Sequence, residues 1–528
     1  MTGRLARSAG LIGLATVASR VLGLVRDQTQ AAYFGTGAAA DAFGVATRIP
    51  SLLRDLFAEG AMSAAFVPTF TRRLTRDGKE AAWRLGSQLI NALLVVVGTL
   101  VVLGMVFADP LARSLAPDFA KIPGKLEMTI VLTRVNMPFL LLIAIAAACM
   151  GMLNALRRFF VPALSPAMLN VVFILCLVGG VPLFNRLGIH PVMALSLGML
   201  LGGVAQIASQ WPSLRREGYR HAWVLNPRDP ALHEMLVLMG PGAIGVAAAQ
   251  VNLLVNMVLA TNEPDAVSAL GYAFRLMYLP IGVFGVSAAT AAIPELARHA
   301  ERGSFGDMQK TLSWALRMML MLSVPATVGL MILGGPITEM IFERGEFGPG
   351  STSMVAAALL FYAPGIIGYS IVKIASPTFY SLRDARTPVI ISVVTIVVNI
   401  GLNLWLDRTM GFRGLALGTA IAANINAGLL LFLLSRRLGG LDGPRILSAF
   451  AKITAASAAM GLVAYFLEQW LQGALPIRLL GSMELSRVVR VTLSIGAGVA
   501  TLAAAAWMLR VQEFSDAIRR VLARVRPS

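Results

Sequence analysis

Long apolar runs dominate the chain, and charged residues fall mostly in the short stretches between them. A helix needs roughly 20 apolar residues to cross a bilayer. Runs of that kind lie at 8–34, 41–71, 85–108, 128–156, 161–184, 191–213 and 232–260. Further runs lie at 267–297, 311–335, 353–381, 387–407, 413–435, 446–471 and 485–510. The pattern predicts an all-α polytopic membrane protein with about fourteen transmembrane helices.

The composition agrees with a membrane protein, since 57% of the 528 residues are hydrophobic and 14% are charged. Soluble domains carry about 25% charged residues. The 45 basic and 27 acidic residues give a net charge of +18. The basic residues lie in short patches between apolar runs, so no nucleic-acid partner is expected. Cys149 and Cys176 both lie inside apolar runs, which indicates no disulfide framework.

Basic residues alternate between rich and poor loops along the predicted spans. The rich stretches are the N-terminus, 72–84, 157–158, 215–228, 298–310, 383–386, 436–445 and the C-terminal tail. The loops between them carry few basic residues, and 261–266 carries none. Because cytoplasmic loops are enriched in Lys and Arg, we expect both termini in the cytoplasm and the protein in the bacterial inner membrane.

Short segments recur at an offset of roughly 220–230 residues. Leu156-Arg-Arg-Phe-Phe-Val-Pro162 matches Leu382-Arg-Asp-Ala-Arg-Thr-Pro388 in its Leu-Arg and Pro positions. Ser196-Leu-Gly198 parallels Ala416-Leu-Gly418. The order of the matches predicts six-helix halves at 1–220 and 221–440, followed at 441–528 by two additional helices and a cytoplasmic tail. Transporters often place the substrate site between such halves.

Several predicted spans contain charged residues, which are costly in a bilayer. Span one contains Arg20, Arg26 and Asp27, and span eight contains Arg275. Span two contains Asp41, Arg48, Arg54, Asp55 and Glu59. An arginine at the centre of a membrane helix costs about 2.5–3.5 kcal/mol on insertion scales, so these side chains require a water-filled cavity or a partner.

The excess of cations favours an anionic ligand. Arg20 and Arg26 are six residues apart, which places them about 120° apart around the helix axis, and Arg48 and Arg54 repeat the spacing. A structural alternative pairs Arg26 with Asp27 or Asp41, and Arg54 with Glu59. The five arginines outnumber the four nearby acids, however, and the planar guanidinium suits phosphate.

The motifs SRVLGLVRD (19–27), ADAF (40–43) and LLRDLFAEGA (52–61) resemble the start of the MurJ/MviN family. These proteins are lipid II flippases of the multidrug/oligosaccharidyl-lipid/polysaccharide exporter superfamily. YAFRLMYLPIGVFGVSAATAAIPELA (272–297) and SLRDARTP (381–388) resemble later parts of the same family. The resemblance runs along nearly the whole chain.

The resemblance implies a V-shaped pair of six-helix halves around a cationic cavity that opens alternately to the two sides. Lipid II would be moved from the cytoplasmic to the periplasmic leaflet, with arginines holding its pyrophosphate. The expected substrate-binding residues are Arg20, Arg26, Arg48, Arg54, Arg275, Asp41 and Glu59. We expect a monomer without a cofactor, with lipid II and membrane lipids as partners and the cell-wall synthesis machinery as a candidate partner.

A second group of polar residues lies where some family members use carboxylates to bind sodium. The group consists of Asn252, Asn256, Asn399, Asn403 and Thr419, with no acid among them. It is a candidate cation site or an interhelical polar cluster. Without carboxylates the hydrogen-bonded cluster is favoured, no metal site is predicted, and the membrane potential becomes the hypothetical driving force.

Three alternatives to a lipid II flippase are a flippase for another lipid-linked oligosaccharide, an enzyme and a scaffold protein. A flippase for another undecaprenyl-pyrophosphate-linked oligosaccharide stays open, because that substrate carries the same pyrophosphate. An enzyme is not expected, since the four histidines are scattered and no zinc-protease or serine-hydrolase motif is present. A scaffold of the cell-wall machinery gives no reason for arginines within the spans.

Overall fold

The computed structural model of the protein describes residues 2–54, 61–226, 229–230, 233–235, 250–282, 286–474 and 483–514. The side chains at 2–12, 53–54, 61–64 and 286–291 lie outside that description. Every regular element in the described ranges is helical, which confirms the predicted fold class.

The chain forms two compact units, of which the first contains residues 1–268 and 344–347. Its first helices are α1 (Thr2–Phe34), α2 (Ala38–Ala46), α3 (Arg48–Arg54), α4 (Ala61–Val106) and α5 (Ala108–Leu115). They are followed by α6 (Lys125–Asn136), α7 (Pro138–Ala155), α8 (Phe160–Arg186), α9 (Met193–Arg216) and α10 (Gln250–Ala260). A 3₁₀ turn at Pro117–Lys121 lies between α5 and α6.

The second unit contains residues 269–343 and 348–528, and the boundary between the units falls inside α11 (Ala266–Pro280). It continues with α12 (Val286–Glu301), α13 (Phe305–Phe342), α14 (Pro349–Tyr362) and α15 (Gly365–Ser381). The remaining helices are α16 (Arg386–Met410), α17 (Phe412–Leu438), α18 (Gly443–Ala474) and α19 (Met483–Met508). The predicted division at 220 and 440 stays a prediction.

Nine helices in the described ranges are long and apolar enough to cross a bilayer, or ten if α14 and α15, bent by 49°, form one span. The predicted number of fourteen is therefore not confirmed. Part of the difference lies in span two, which is divided among α2, α3 and the start of α4. Another part lies in α4, where two predicted spans follow each other without a break in helical assignment.

Gly78 separates those two spans within α4. Its φ of 85° and ψ of 178° are not helical, so the chain changes direction there although α4 is continuous in assignment. A residue with a Cβ rarely adopts a positive φ, whereas glycine does so at little cost. The predicted loop between spans two and three is thus a single-residue break.

Each unit has its own apolar core. In the first unit, Phe66 and Phe70 of α4 pack with Cys149 and Met152 of α7, and all four side chains are buried. In the second unit, buried side chains of α13, α15, α17 and α18 form the core, with Ile453 of α18 fully buried. A Cβ added at Gly461 of α18 would lie 2.4 Å from Ile332 Cδ1 of α13. The appended helix α18 is therefore closely packed into the second unit.

The internal repeat is visible in the backbone at the ends of α7 and α15. Arg157 and Arg383 both have a φ of 59°. The Arg157 and Arg383 N–H groups donate to the carbonyls three residues earlier, and the N–H groups of the next residues donate to carbonyls five residues earlier, at 3.0 and 2.9 Å in both cases. This is the Schellman arrangement of a helix C-terminus. The two segments matched in sequence therefore form the same turn.

Replacing Arg157 or Arg383 with Gly is expected to stabilise the protein by about 1 kcal/mol at each site, because glycine removes the left-handed penalty of an L residue. Both side chains are exposed. Thermal unfolding in detergent measures the change. As a control, Arg215→Gly in the last turn of α9 is expected to be destabilising by about 1 kcal/mol. Destabilisation by the first two substitutions would indicate that the arginine side chains themselves hold the loops.

Candidate functional site

Helix α1 carries two of the arginines predicted to bind substrate. Arg20 is exposed and has no hydrogen-bonding or charged partner within the described part of the chain. Arg26 is half-buried, and its Nε and Nη2 atoms donate to Asp27 Oδ1 at 3.1 and 2.9 Å. Its guanidinium also lies 5.7 Å from the ring centroid of Phe173 on α8. The pairing of Arg26 with Asp27, considered above as a structural alternative, is therefore present, and Arg20 carries the uncompensated charge.

Helix α1 is held against α8 by a close polar contact next to these arginines. Asn170 Nδ2 donates to the Ser19 carbonyl at 3.2 Å. A Cβ at Gly23 would lie 3.6 Å from the same amide, so α8 approaches α1 closely between the two arginines. This contact fixes the position of the backbone that carries Arg20.

Helix α3 begins at Arg48 and ends at Arg54. Arg48 is half-buried, and its Nη2 atom donates to Gln250 Oε1 of α10 over 3.4 Å, a long hydrogen bond. The Arg54 side chain and all of Glu59 lie outside the described residues. The roles predicted for Arg54 and Glu59 therefore stay predictions.

Asp41 is fully buried and its carboxylate is surrounded by donors. Lys125 Nζ, itself 1% exposed, donates to Oδ2 at 2.7 Å. The Ser268 N–H and hydroxyl donate to Oδ1 at 2.8 and 2.7 Å, and the Asp265 N–H donates to Oδ2 at 3.0 Å. These contacts give Asp41 a positioning role: it joins α2 to α6 and to the first turn of α11. A direct contact of Asp41 with substrate stays a prediction.

Lys125 is the residue of this cluster that the sequence analysis missed. It opens α6 directly after Gly124 and its ammonium lies 4.1 Å from the ring centroid of Phe119. In the sequence it is one of the scattered basic residues of a predicted external loop. The only sign of a buried role in the sequence was its position at the start of a long apolar run, where nothing requires a lysine to be exposed.

Arg275 lies on α11 in the second unit and is exposed. Its guanidinium is 5.9 Å from the ring centroid of Tyr272, one turn earlier on the same helix. Tyr272 in turn packs against Phe342 of α13 with ring centroids 5.0 Å apart. The Tyr272 ring therefore helps to orient this guanidinium.

The polar residues considered as a cation site are divided between the units. Asn252 and Asn256 lie on α10 and are half-buried. Asn399 and Asn403 of α16 and Thr419 of α17 are buried in the second unit. A Cβ at Gly418 would lie 2.0 Å from Asn403 Oδ1, so the amide occupies the space that glycine leaves between α16 and α17. Within the described ranges, no group of three His, Cys, Asp or Glu could hold a metal ion.

A buried ion network in the second unit was also missed. Arg487 Nε and Nη2 donate to Glu339 Oε1 and Glu343 Oε1 at 2.9 and 2.7 Å. Arg490 forms ion pairs with Glu339 and with Glu468 of α18, which is 4% exposed. The network joins the start of α19 to the ends of α13 and α18. The sequence contains these charges at the edges of predicted spans, where basic residues usually reach the interface.

Ion pairs in the first unit connect loops that the charge pattern assigns to one side. Glu217 Oε2 lies 3.5 Å from Lys79 Nζ, and its Oε1 lies 2.8 Å from Arg158 Nη2. The hydrogen bond from Arg158 favours the ionised form and lowers the pKa of Glu217, so these ion pairs persist at neutral pH and weaken as the pH falls through that lowered value. Asp41, Lys125 and Asp265 come from three segments assigned to the other side. Helices that cross the bilayer in alternating directions would bring the segments together in these two groups.

The arginines predicted to bind substrate differ in their electrostatic surroundings. Arg26 is neutralised by its neighbour, Arg48 has an amide partner, and Arg20 and Arg275 present exposed guanidinium groups. Guanidinium groups form bidentate, charge-assisted hydrogen bonds with phosphate oxygens. Within the described ranges the chain offers neither a metal cluster nor a grouped histidine and carboxylate set for covalent chemistry. The arrangement suits binding of an anionic group.

Comparison with known proteins identifies the family. A family model described as lipid II flippase MurJ matches residues 30–481. A probable lipid II flippase MurJ of Rhizobium meliloti is 35% identical over 465 residues, covering 87% of this chain and 86% of that relative. The lipid II flippase MurJ of Burkholderia cenocepacia is 33% identical over 429 residues, covering 80% of this chain and 82% of the relative.

Solved structures give the same result for the fold. A lipid II flippase MurJ in an inward closed conformation has a TM-score of 0.75 and 26% identity, covering 94% of this chain and 99% of that one. An inward-facing MATE multidrug transporter has a TM-score of 0.66 at 17% identity, covering 80% and 96%, and shows the fold alone. The family model matches most of the chain and the relatives align along most of their length, so this chain belongs to the MurJ family.

Proposed function

We propose that this chain moves lipid II from the cytoplasmic to the periplasmic leaflet of the bacterial inner membrane, as a step of peptidoglycan biosynthesis. The proposal is supported by the names of its relatives, which describe lipid II flippases, and by its many apolar helices. Flipping moves a lipid without breaking a covalent bond, so no catalytic group is required. Both termini lie in the cytoplasm in this proposal.

The observation that carries the proposal is Arg20, an exposed arginine in an otherwise apolar stretch of α1 that has no partner among the described residues. A pyrophosphate would satisfy this guanidinium with charge-assisted hydrogen bonds in a region of low dielectric. Arg26, Arg48, Arg54 and Arg275 complete the proposed cationic site, and Asp41 and Lys125 hold the backbone near it. The C55 isoprenoid tail stays among the membrane lipids.

Alternating access is the proposed transport mechanism. In it the binding arginines face first the cytoplasm and then the periplasm, so the polar headgroup never crosses the hydrocarbon interior. The fold of this chain also occurs in MATE transporters that have been solved in inward-facing and outward-facing conformations. The six-helix halves predicted at 1–220 and 221–440 are the proposed moving parts.

The experiment uses cells whose own lipid II flippase can be shut off. Newly made lipid II is tested for accessibility from the periplasm in cells that express the wild type, Arg20→Ala or Arg113→Ala at matched levels. Arg113 is a control because it is exposed and its partner is Asp109, one turn away. We expect the wild type and Arg113→Ala to restore accessibility, and Arg20→Ala to lower the rate about tenfold or more, since a charge-assisted hydrogen bond contributes about 1.5–3 kcal/mol.

Each outcome has a defined meaning. A well-expressed wild type that restores no accessibility contradicts lipid II as the substrate and directs the search to another undecaprenyl-pyrophosphate-linked oligosaccharide. Equal activity of Arg20→Ala and wild type contradicts the role of Arg20 while leaving flipping intact. Partial recovery in Arg20→Lys would indicate that charge, more than the planar fork, is required.

A further inference from the structure

A cavity of about 280 Å³ in the second unit has charged residues at half of its lining positions. It lies where α13, the start of α18 and the segment after α19 meet. Its basic residues are Arg317, Arg445, Lys452 and Arg510, and its acidic residue is Glu513. Nothing in the proposed transport cycle uses these residues, which are all far in sequence from the arginines of α1 and α3.

Half of the basic residues that line this cavity have no acidic partner among the described residues. Arg317 forms an ion pair with Glu513, whose side chain is 4% exposed. Arg445 pairs with Asp442 at 3.2 Å, but 75% of its side chain is exposed, so this contact is weak. Lys452 and Arg510 have no hydrogen-bonding or charged partner in the described ranges. The cavity therefore presents two cations without acids beside them.

A second cavity of similar size provides a comparison within the same chain. It measures about 240 Å³, lies in the first unit, and is lined by Arg72, Arg73 and Arg76. There Arg72 pairs with Glu234 at 2.8 Å and Arg73 pairs with Asp77 at 3.2 Å. Two acids pair with two of the three arginines of that cavity, whereas Glu513 is the one acid among the described residues that line the cavity beside α18, together with four basic residues.

Exposed apolar side chains lie close in sequence to residues that line the cavity beside α18. Leu447 is 68% exposed, and Trp507 and Met508 are 73% and 74% exposed. They lie beside Ser448 and Arg510, at the ends of the two membrane-span candidates α18 and α19. Tryptophan at the end of a membrane helix is typical of the interface between headgroups and acyl chains. Unpaired cations and exposed apolar side chains thus occur together at the ends of two membrane-span candidates.

We propose that this cavity binds the headgroup of an anionic phospholipid. The phosphate accepts hydrogen bonds from Lys452 and Arg510, and the acyl chains lie along Leu447 and Trp507. Basic pockets between membrane helices on the cytoplasmic side bind anionic headgroups in this way. The exposed apolar side chains nearby in sequence favour a lipid over free phosphate, because phosphate alone gains nothing from Leu447 and Trp507. The bound lipid bridges the start of α18 and the end of α19.

The test measures lipid retention by the purified full chain in detergent with native mass spectrometry. Phosphatidylglycerol and phosphatidylcholine are the probes, and the variant is Lys452→Gln/Arg510→Gln. Each cationic contact contributes about fivefold to binding, so the variant is expected to retain phosphatidylglycerol about 30-fold more weakly. Arg302→Gln/Lys310→Gln is the matched control, since it removes the same charge from exposed positions of the second unit. The control is expected to bind as the wild type does.

Further measurements distinguish a lipid headgroup from free phosphate as the bound anion, and they test whether the variants are folded. Inorganic phosphate that displaces phosphatidylglycerol at millimolar concentration would overturn the lipid assignment in favour of a free anion. Equal retention of the two lipids by the wild type, or unchanged retention by the variant, would overturn the site itself. Lys452→Arg/Arg510→Lys keeps the charge and is expected to restore retention, whereas a failure to restore it with an unchanged Tm would contradict an electrostatic site.

Discussion

Replacing Lys125 with Met is expected to destabilise the first unit by about 3–5 kcal/mol, which is the usual cost of removing one member of a buried ion pair. The Lys125 ammonium lies 2.7 Å from Asp41 Oδ2, and neither side chain is more than 1% exposed. Asp265 and Ser268 would still donate to the carboxylate, but no cation would balance its charge. Thermal unfolding of the detergent-solubilised protein measures the effect.

Two further variants separate charge from volume. Arg113→Met removes the cation of an exposed pair and is expected to cost about 0.5 kcal/mol or less. Lys125→Met/Asp41→Asn removes both charges and is expected to recover much of the lost stability. A Lys125→Met protein as stable as Arg113→Met would show that the ion pair does not hold the unit. No recovery in the double variant would assign the loss to packing.

Replacing Arg490 with Leu is expected to release α18 and α19 from α13, with a loss of about 3–5 kcal/mol. Among the described residues, Glu468 would keep the Ser494 hydroxyl, which donates to its Oε2 at 3.1 Å. Glu339 would keep Arg487. A carboxylate in a site that is 4% exposed without a cation is strongly destabilising. Hydrogen exchange measured by mass spectrometry is expected to show lost protection in 443–474 and 483–508.

The matched control for this prediction is Lys310→Leu, because Lys310 is 81% exposed and pairs with Asp307 on the same turn of α13. It is expected to leave exchange in α18 and α19 unchanged. The double variant Arg490→Leu/Glu468→Leu removes the unpaired acid and is expected to restore part of the protection. Protection equal to wild type in Arg490→Leu alone would mean that apolar contacts such as that of Gly461 with Ile332 hold the helices unaided.

The sequence was sufficient to predict the helical class because hydrophobicity is a local property that repeats in every segment. It also predicted that Leu156 and Leu382 begin equivalent segments, and both end a helix in the same turn. The number of spans was harder to predict from the sequence. The sequence separated the runs 41–71 and 85–108, but it did not predict that a single non-helical residue, Gly78, would join them within α4, because a hydropathy average over about 19 residues does not resolve such a feature.

Long-range ion pairs could not be predicted from the sequence. Asp41 and Lys125 are 84 residues apart, and each has nearer residues of opposite charge, such as Arg48 for Asp41. Choosing among these partners requires the packing of α2 against α6, which no local pattern specifies. Arg26 illustrates the easier case, because its partner Asp27 is the adjacent residue. The roles of the arginines in binding stay predictions until transport is measured.

The two groups of ion pairs in the first unit have a mechanical consequence. Glu217 joins segments at one end of the helices and Asp41 joins segments at the other end. A helix bundle with ion pairs at both ends resists the tilting of any single helix, so its helices are displaced together. Local opening of this unit is then cooperative, because breaking one group of ion pairs increases the freedom of helices far from it.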